Sequence, residues 1–107
     1  MKKARDLVQT GWCQNAYEME GRDLVKRFDI LGALEASAQG QPYRVYHSAR
    51  FAVVEAILEA NFDGEYVGDD VIVDWNDDPK RTQEEVVAMF NRAIELVIKA
   101  DKEGVPF

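Results

Sequence analysis

The start of one long helix constrains the fold of this chain more than any other feature of its sequence. Thr82 and Glu85 have the spacing of a capping box, in which the side chain of each residue accepts a hydrogen bond from the backbone amide of the other. Gly104-Val105-Pro106 is typical of a helix end. Apolar residues recur at helical spacing between these two signals and predict a long last helix, whose buried stripe consists of Val86, Val87, Phe90, Ala93, Ile94, Val97 and Ile98.

The composition is that of one folded domain. With 107 residues the chain can build one hydrophobic core but not two. Hydrophobic residues make up 47% of the sequence and charged residues 31%, which is the balance of a packed globule rather than a disordered chain. We therefore expect residues 1–107 to form a single compact domain that is mainly α, with about four helices.

The N-terminal part of the chain predicts two of these helices and a short piece of β-structure. Apolar residues at helical spacing before Gly11 indicate a first helix, which Gly11 ends as the left-handed C′ residue. Residues 12–22 lose that spacing and predict a short strand or β-hairpin. The second helix is expected within 23–39, with Leu24, Phe28 and Leu31 on its apolar face.

The third helix, expected over 43–61, is apolar on two faces. The inner stripe, which should face the core, consists of Val45, Ala49, Ala52, Val53, Ala56, Ile57 and Ala60. At about 100° per residue a second set falls on the opposite side. We call this set the outer stripe; it consists of His47, Phe51, Val54 and Leu58. Such a helix either lies at the centre of its domain or presents one stripe to another chain, which here would be a homodimer contact.

An acidic connection occupies residues 62–79, between the third and the last helix. Seven acidic residues and no Lys or Arg lie within 63–78, and these seven equal the whole formal net charge of −7. This negative field repels phosphate groups, so we expect no nucleic-acid partner. The segment is either a solvated loop or a surface for a cation or a basic protein partner. Within it, Val71-Ile72-Val73 predicts a short strand near 71–75.

Part of this connection has the spacing of a calcium loop. Asp74, Asn76, Asp78 and Glu85 match positions 1, 3, 5 and 12 of the EF-hand pattern, and their oxygens suit a divalent cation. Pro79 stands at the position that needs glycine, and Glu85 already has a role in the capping box. An Asx-rich turn before a capped helix explains the same residues. We expect no cofactor, with calcium or another divalent cation as the alternative.

Other catalytic patterns are weak. Cys13 and His47 are a nucleophile and a base by residue type only, since no local signature surrounds either one. Trp12, Tyr17 and Trp75 form either a ligand-facing aromatic cluster or lids over the core. One cysteine cannot form an internal disulfide, and no apolar run approaches the roughly 20 residues of a membrane span. We expect a cytoplasmic protein without a membrane contact.

Several short stretches together resemble a known family. They are Gly11-Trp12-Cys13-Gln14, Gly32-Ala33-Leu34, Trp75-Asn76-Asp77, Arg81-Thr82 with Glu85-Val86, and Arg92-Ala93-Ile94. This pattern is similar to that of small uncharacterised bacterial and phage proteins grouped as a domain of unknown function, with Asn15 where we expect glycine. The resemblance implies no activity. It makes Trp75, Asn76 and Asp77 the first residues to examine, with Asn76 and Asp77 orienting the loop through side-chain to backbone hydrogen bonds.

The sequence therefore favours a non-enzymatic cytoplasmic protein that acts by association. It would associate with itself through the outer stripe, or with a basic partner through 63–78. The alternative is a domain of enzyme-like character that binds a divalent cation or a small ligand and is centred on residues 69–85.

Overall fold

Helices and one β-hairpin form the structure of this protein, a computed structural model that describes residues 1–60 and 70–104. Those residues contain five helices, one more than the sequence predicts, and two strands. In chain order they are α1 (Lys2–Thr10), β1 (Glu18–Glu20), β2 (Lys26–Phe28), α2 (Ile30–Ser37), α3 (Tyr43–Ala60), α4 (Asp70–Asp77) and α5 (Gln83–Glu103). The predicted class, mainly α with a short hairpin in one compact domain, is confirmed.

The last helix, α5, begins and ends where its sequence predicts. The Glu85 amide donates to the Thr82 hydroxyl at 3.2 Å, and the Thr82 amide donates to the Glu85 carboxylate at 3.0 Å. Gly104 ends the helix with a left-handed φ of 72°. Val105 and Pro106, the rest of the predicted stop signal, lie outside the described residues. The inner side of α5 packs against α1 and α3 and buries Val86, Phe90 and Ala93 completely. Ile98, which the sequence predicts in the same buried stripe, is 46% exposed, so the prediction is wrong for this residue.

Helix α3 is continuous from Tyr43 to Ala60, as predicted; Asn61 lies outside the described residues. The middle of its inner stripe lies in the core, where Ala52, Val53 and Ile57 have no exposed surface. Val45 is 43% exposed, so the core does not extend to the first turn of the helix. Burial of these side chains against the other helices is the main stabilising contribution; the partners include Val8, Ile30, Leu34, Val71, Ile72 and Phe90.

The second helix is shorter than predicted, because residues 23–29 are not helical. Lys26–Phe28 is strand β2, which pairs antiparallel with Glu18–Glu20. Leu24, predicted for the apolar face of the helix, lies in the turn before β2 with a φ of 61° and is 77% exposed. The helix begins only after Asp29, whose side chain caps it by accepting a hydrogen bond from the Gly32 amide.

The predicted strand at 71–75 is wrong, because this segment belongs to helix α4. Three successive β-branched residues, Val71-Ile72-Val73, favour a strand locally. The buried positions of the segment nevertheless follow helical spacing, since Val71, Ile72, Trp75 and Asn76 are all at most 3% exposed. Packing of α4 against α2 and α3 therefore overrides the local preference.

The hairpin extends beyond the predicted range of 12–22, because its second strand is β2. Gly11 ends α1 as predicted, although its φ of −162° is extended rather than left-handed. Glycine is needed there for a different reason, since a Cβ would lie 2.7 Å from the Lys26 carbonyl oxygen. The chain thus passes from α1 directly alongside β2, and the Phe28 amide donates to the Gly11 carbonyl oxygen at 3.0 Å.

Part of the acidic connection falls on residues 61–69, outside the described part of the chain. Asp63, Glu65 and Asp69 are among these residues, so a basic partner for 63–78 stays a prediction. Within 1–60 and 70–104, no helix combines the length and the apolar character needed to span a bilayer.

Candidate functional site

Asn76, near the end of α4, is a polar side chain with no exposed surface. Its Oδ1 accepts hydrogen bonds from Trp12 Nε1 at 2.8 Å and from the Ile30 amide at 3.2 Å. Its Nδ2 donates to the Cys13 carbonyl oxygen at 3.2 Å and to Asp77 Oδ1 at 2.9 Å. These four bonds use the whole hydrogen-bonding capacity of the amide. They join the loop 12–16, the start of α2 and the end of α4, which together we call the junction.

Two loop residues bind the C-terminal end of α4. Gln14 Nε2 donates to the carbonyl oxygens of Asn76 at 3.0 Å and Asp78 at 2.7 Å, and so satisfies acceptors at a helix end. The Asn15 amide donates to Asp77 Oδ1 at 2.9 Å. Asn15 has a φ of 64°, a conformation that asparagine tolerates better than most side chains and that glycine adopts freely. Asn76 and Asp77 therefore orient the loop through the backbone, as the resemblance implies.

Arg81 covers the buried indole of Trp75. The guanidinium carbon lies 3.8 Å from the ring centroid, and Arg81 Nε donates to the Trp75 carbonyl oxygen at 2.9 Å. Glu85 pairs with Arg81 at 3.0 Å. The hydrogen bond from the Thr82 amide, reinforced by the Arg81 charge, lowers the pKa of the Glu85 carboxyl. Within the described residues, Trp75 Nε1 is buried without a hydrogen-bond partner.

Asp29 is a buried acid at the junction. It is 3% exposed, and its Oδ1 accepts a hydrogen bond from the Gly32 amide at 2.6 Å. Burial raises the pKa of Asp29 to about 6; the charges of Asp77 and Glu35 act in the same direction, and the Gly32 hydrogen bond opposes them. Gly32 has no room for a side chain, because a Cβ would collide with the Tyr17 carbonyl oxygen. The hairpin therefore lies directly on the first turn of α2.

A pocket of about 500 Å³ opens beside Asp29. This volume lies in the usual range of small-molecule sites. Its walls come from the loop 12–16, from the residue just before β1, from the cap of α2 and from one side of α4. The lining residues are Asn15, Ala16, Tyr17, Asp29, Val73 and Asp77.

The four predicted metal ligands do not converge on one point. Asn76 is committed to the junction, and Asp74 is exposed on α4. Asp78 Oδ1 accepts a hydrogen bond from the Lys80 amide at 2.9 Å, while Glu85 closes the capping box. Among the residues described, no group of three or more His, Cys, Asp or Glu side chains could hold a metal ion. A divalent-cation site therefore stays a prediction without geometric support from these residues.

Cys13 and His47 lie in different environments. Cys13 is buried in the loop, and its thiol donates to the Ala16 carbonyl oxygen at 3.4 Å. Burial, then the charges of Asp29 and Asp77, raise the pKa of the Cys13 thiol, which disfavours the reactive thiolate. His47 is exposed on α3 and stacks on Tyr43 with ring centroids 6.1 Å apart.

The predicted aromatic cluster separates into one buried tryptophan, one half-buried tryptophan and one exposed tyrosine. Trp12 is half-buried and hydrogen-bonded to Asn76, and Trp75 is 3% exposed beneath Arg81, so both cover the core. Tyr17 is 60% exposed and forms one wall of the pocket. The ligand-facing alternative stays a prediction for Tyr17 and Trp75, each of which lines a pocket.

The outer stripe of α3 lies partly at the surface. His47 is exposed and Phe51 is 51% exposed, whereas Val54 and Leu58 are half-buried against the core. Tyr43, one turn before His47, extends the stripe and is 70% exposed. The first half of this stripe is thus open and the second half is largely covered.

Sequence reasoning missed two residues of the junction. Gln14 was recognised only as part of a pattern, and nothing in its neighbours indicates that it binds the end of α4. Asp29 carried a usable signal, since an Asp just before an apolar helical stretch is typical of an N-cap. This signal was not used, because a helix that begins at residue 23 places Asp29 in its interior.

Among the comparisons with known proteins, a family model matches this chain. No curated protein and no solved structure matches it. The model of a family of unknown function matches residues 1–96, a range that includes the whole junction and α3. The chain therefore belongs to this family of unknown function, DUF6197.

Proposed function

We propose that this protein acts in the cytoplasm by association with a second copy of itself rather than by catalysis. One observation carries the proposal: Tyr43, His47 and Phe51 form an exposed row of rings on successive turns of α3. Large apolar side chains grouped on one helix face are typical of protein contacts, whereas single ones are common on any surface. Aromatic side chains are also enriched at the centres of such contacts.

An antiparallel pairing of α3 with its copy fits the charges beside this row. At about 100° per residue, Arg44 and Glu55 lie on the same flank of the outer stripe. Both lie equally far from a point between residues 49 and 50, close to Phe51. A twofold axis through that point places Arg44 of each copy opposite Glu55 of the other, so the surface is complementary to itself.

The same pairing accounts for two charges that have no ion-pair partner within residues 1–60 and 70–104. Arg44 and Glu55 are both exposed, and neither forms an ion pair with another residue in the described part of the protein. Nearby Glu59, by contrast, pairs with Arg92 at 2.7 Å. Two exposed ion pairs contribute little affinity, but they select the antiparallel arrangement over the parallel one.

Sedimentation equilibrium over a range of protein concentrations tests the proposal. We expect the wild type to pass from monomer to dimer, and the Phe51→Glu variant to associate at least about tenfold more weakly, because each dimer loses two buried rings and gains two buried charges. The matched control is Ile98→Glu, which places the same charge at an apolar residue of α5 that is 46% exposed.

The control should associate as the wild type does, and circular dichroism should show all three proteins folded at the working temperature. A wild type that remains monomeric at the highest concentration would overturn the proposal. Equal weakening by Phe51→Glu and Ile98→Glu would do so as well, since the effect would then not belong to α3.

A further inference from the structure

The pocket at the junction carries a second inference, which is independent of self-association. We propose that it binds an organic ammonium ion, with Asp29 and Asp77 as counter-charges and with Tyr17 and Val73 in contact with the apolar part of the ligand. Nothing in the family assignment gives this pocket a role. The proposal rests on one carboxylate oxygen that has no donor in the described part of the chain, on the charges around it and on the shape of the cavity.

The carboxylate oxygen is Asp29 Oδ2. Asp29 is 3% exposed and lines the pocket, and its Oδ1 is satisfied by the Gly32 amide. Within residues 1–60 and 70–104, no group donates a hydrogen bond to Oδ2. A carboxylate oxygen on a side chain that is only 3% exposed has little contact with water, and a donor within the pocket would stabilise its charge. An ammonium group in the pocket would supply that donor.

The charge beside Asp29 is also uncompensated. Asp77 lines the same pocket, and its Oδ1 is held by the amides of Asn15 and Asn76, both of which are neutral. In the described part of the chain, no Lys, Arg or His forms an ion pair with either acid. Two acids that face one cavity without a cation attract a positively charged ligand.

The cavity favours an organic cation over a metal ion. A metal ion of the calcium type takes six to eight oxygen ligands, and no suitable cluster of three acidic, His or Cys side chains exists among the described residues. The walls include Ala16, Val73 and the exposed ring of Tyr17, which suit an apolar body or a cation over an aromatic face. The volume of about 500 Å³ leaves room for such a body.

The proposal predicts pH-dependent binding. Asp29 lies among Asp77 of α4, Glu35 of α2 and the thiol of Cys13 in the loop, all of them acidic groups. Because the pKa of Asp29 is raised to about 6, the site loses a charge as the pH falls through that value. Affinity for an ammonium ion should therefore fall about tenfold between pH 7.5 and pH 5.

Amide chemical shifts in a titration with 2-phenylethylamine test the proposal, with 2-phenylethanol as the uncharged counterpart. We expect the amine alone to shift the amides of Asn15, Ala16, Tyr17 and Val73. Asp29→Asn should weaken binding at pH 7.5 about tenfold or more and remove most of the pH dependence. Asparagine is as good an N-cap as aspartate, so α2 should remain intact. Asp74→Asn is the matched control, because it removes an exposed charge from the same helix.

Four results would overturn the proposal. In the first the amine leaves these amide chemical shifts unchanged, and in the second the alcohol changes them as much as the amine does. In the third Asp29→Asn binds the amine as tightly as the wild type does. In the fourth Asp74→Asn weakens binding as much as Asp29→Asn does, which would indicate a general charge effect. A calcium titration is run in parallel: if calcium moves the same amides and the amine does not, the site is a metal site and the assignment of an organic cation is wrong.

Discussion

At the junction, Asn76 is fully buried and every hydrogen bond of its amide is made inside the chain, whereas along the outer stripe of α3 half of the surface of Phe51 is exposed. The junction connects segments that are far apart in the sequence. The outer stripe belongs to one helix whose opposite side already forms the core. A saturated polar centre stabilises the fold, whereas the exposed aromatic row is the surface proposed for self-association.

This difference shows which family-pattern residues are structural. Trp75, Asn76 and Asp77 attract attention in the sequence because they are polar or aromatic and closely spaced. In the structure Asn76 and Trp75 are at most 3% exposed, and Asp77 lines the pocket beside Asp29. A sequence motif can therefore consist of residues that stabilise the fold as well as residues that bind a ligand.

Asn76→Ala should have the largest effect on stability. The substitution leaves Trp12 Nε1, the Ile30 amide and the Cys13 carbonyl oxygen without their partner, and each buried group left unpaired costs about 1–3 kcal/mol. We expect a loss of about 3 kcal/mol or more in the free energy of unfolding, measured by urea denaturation. Asp74→Ala on the same helix is exposed and should change it by less than about 0.5 kcal/mol. Similar losses in both variants would mean that Asn76 is not the centre of the junction.

Asp29→Asn should stabilise the protein at neutral pH. In this respect Asp29, a charged residue that lines the pocket, differs from Asn76, which is neutral and fully hydrogen-bonded. The pKa of Asp29 is raised in the folded state to about 6, so the folded chain holds this proton more tightly than the unfolded chain does. The contribution of Asp29 to stability is full below the pKa of the unfolded chain, falls as the pH rises from about 4 to about 6, and then stays low.

Removing the charge should therefore raise the free energy of unfolding by about 1–2 kcal/mol at pH 7.5 and leave it unchanged near pH 3.5. Thermal melting at the two pH values measures this difference. A variant that is less stable than the wild type at pH 7.5 would mean that the charge of Asp29 stabilises the N-terminus of α2 more than burial opposes it.

The sequence predicts the elements whose signals are local. The capping box of Thr82 and Glu85 lies within one helix and is confirmed. The buried stripes of α3 and α5 are confirmed only in part, since Val45 and Ile98, both predicted to be buried, are 43% and 46% exposed. β2 and α4 were missed because their conformations depend on distant partners: β2 on β1, and α4 on burial against α2 and α3. In both cases the local spacing favoured a different element.

The candidate sites divide in the same way. The exposure of Phe51 follows from a helical projection that the sequence already allows. The pocket at Asp29 does not, because it requires that the loop 12–16, the cap of α2 and Asp77 meet in space. The calcium-like spacing from Asp74 to Glu85 shows only which oxygen-bearing residues occur along the chain. In the structure Asn76 Oδ1 already accepts hydrogen bonds from Trp12 Nε1 and the Ile30 amide.

The most direct test of the central claim is a mixing experiment with two charge variants of α3. Arg44→Glu and Glu55→Arg each place like charges opposite one another in an antiparallel homodimer, and each should associate at least about tenfold more weakly than the wild type. An equal mixture restores opposite charges in the heterodimer. We predict that sedimentation equilibrium shows mainly monomers for each variant alone and dimers for the mixture; a mixture no more associated than its components would contradict an antiparallel contact through α3.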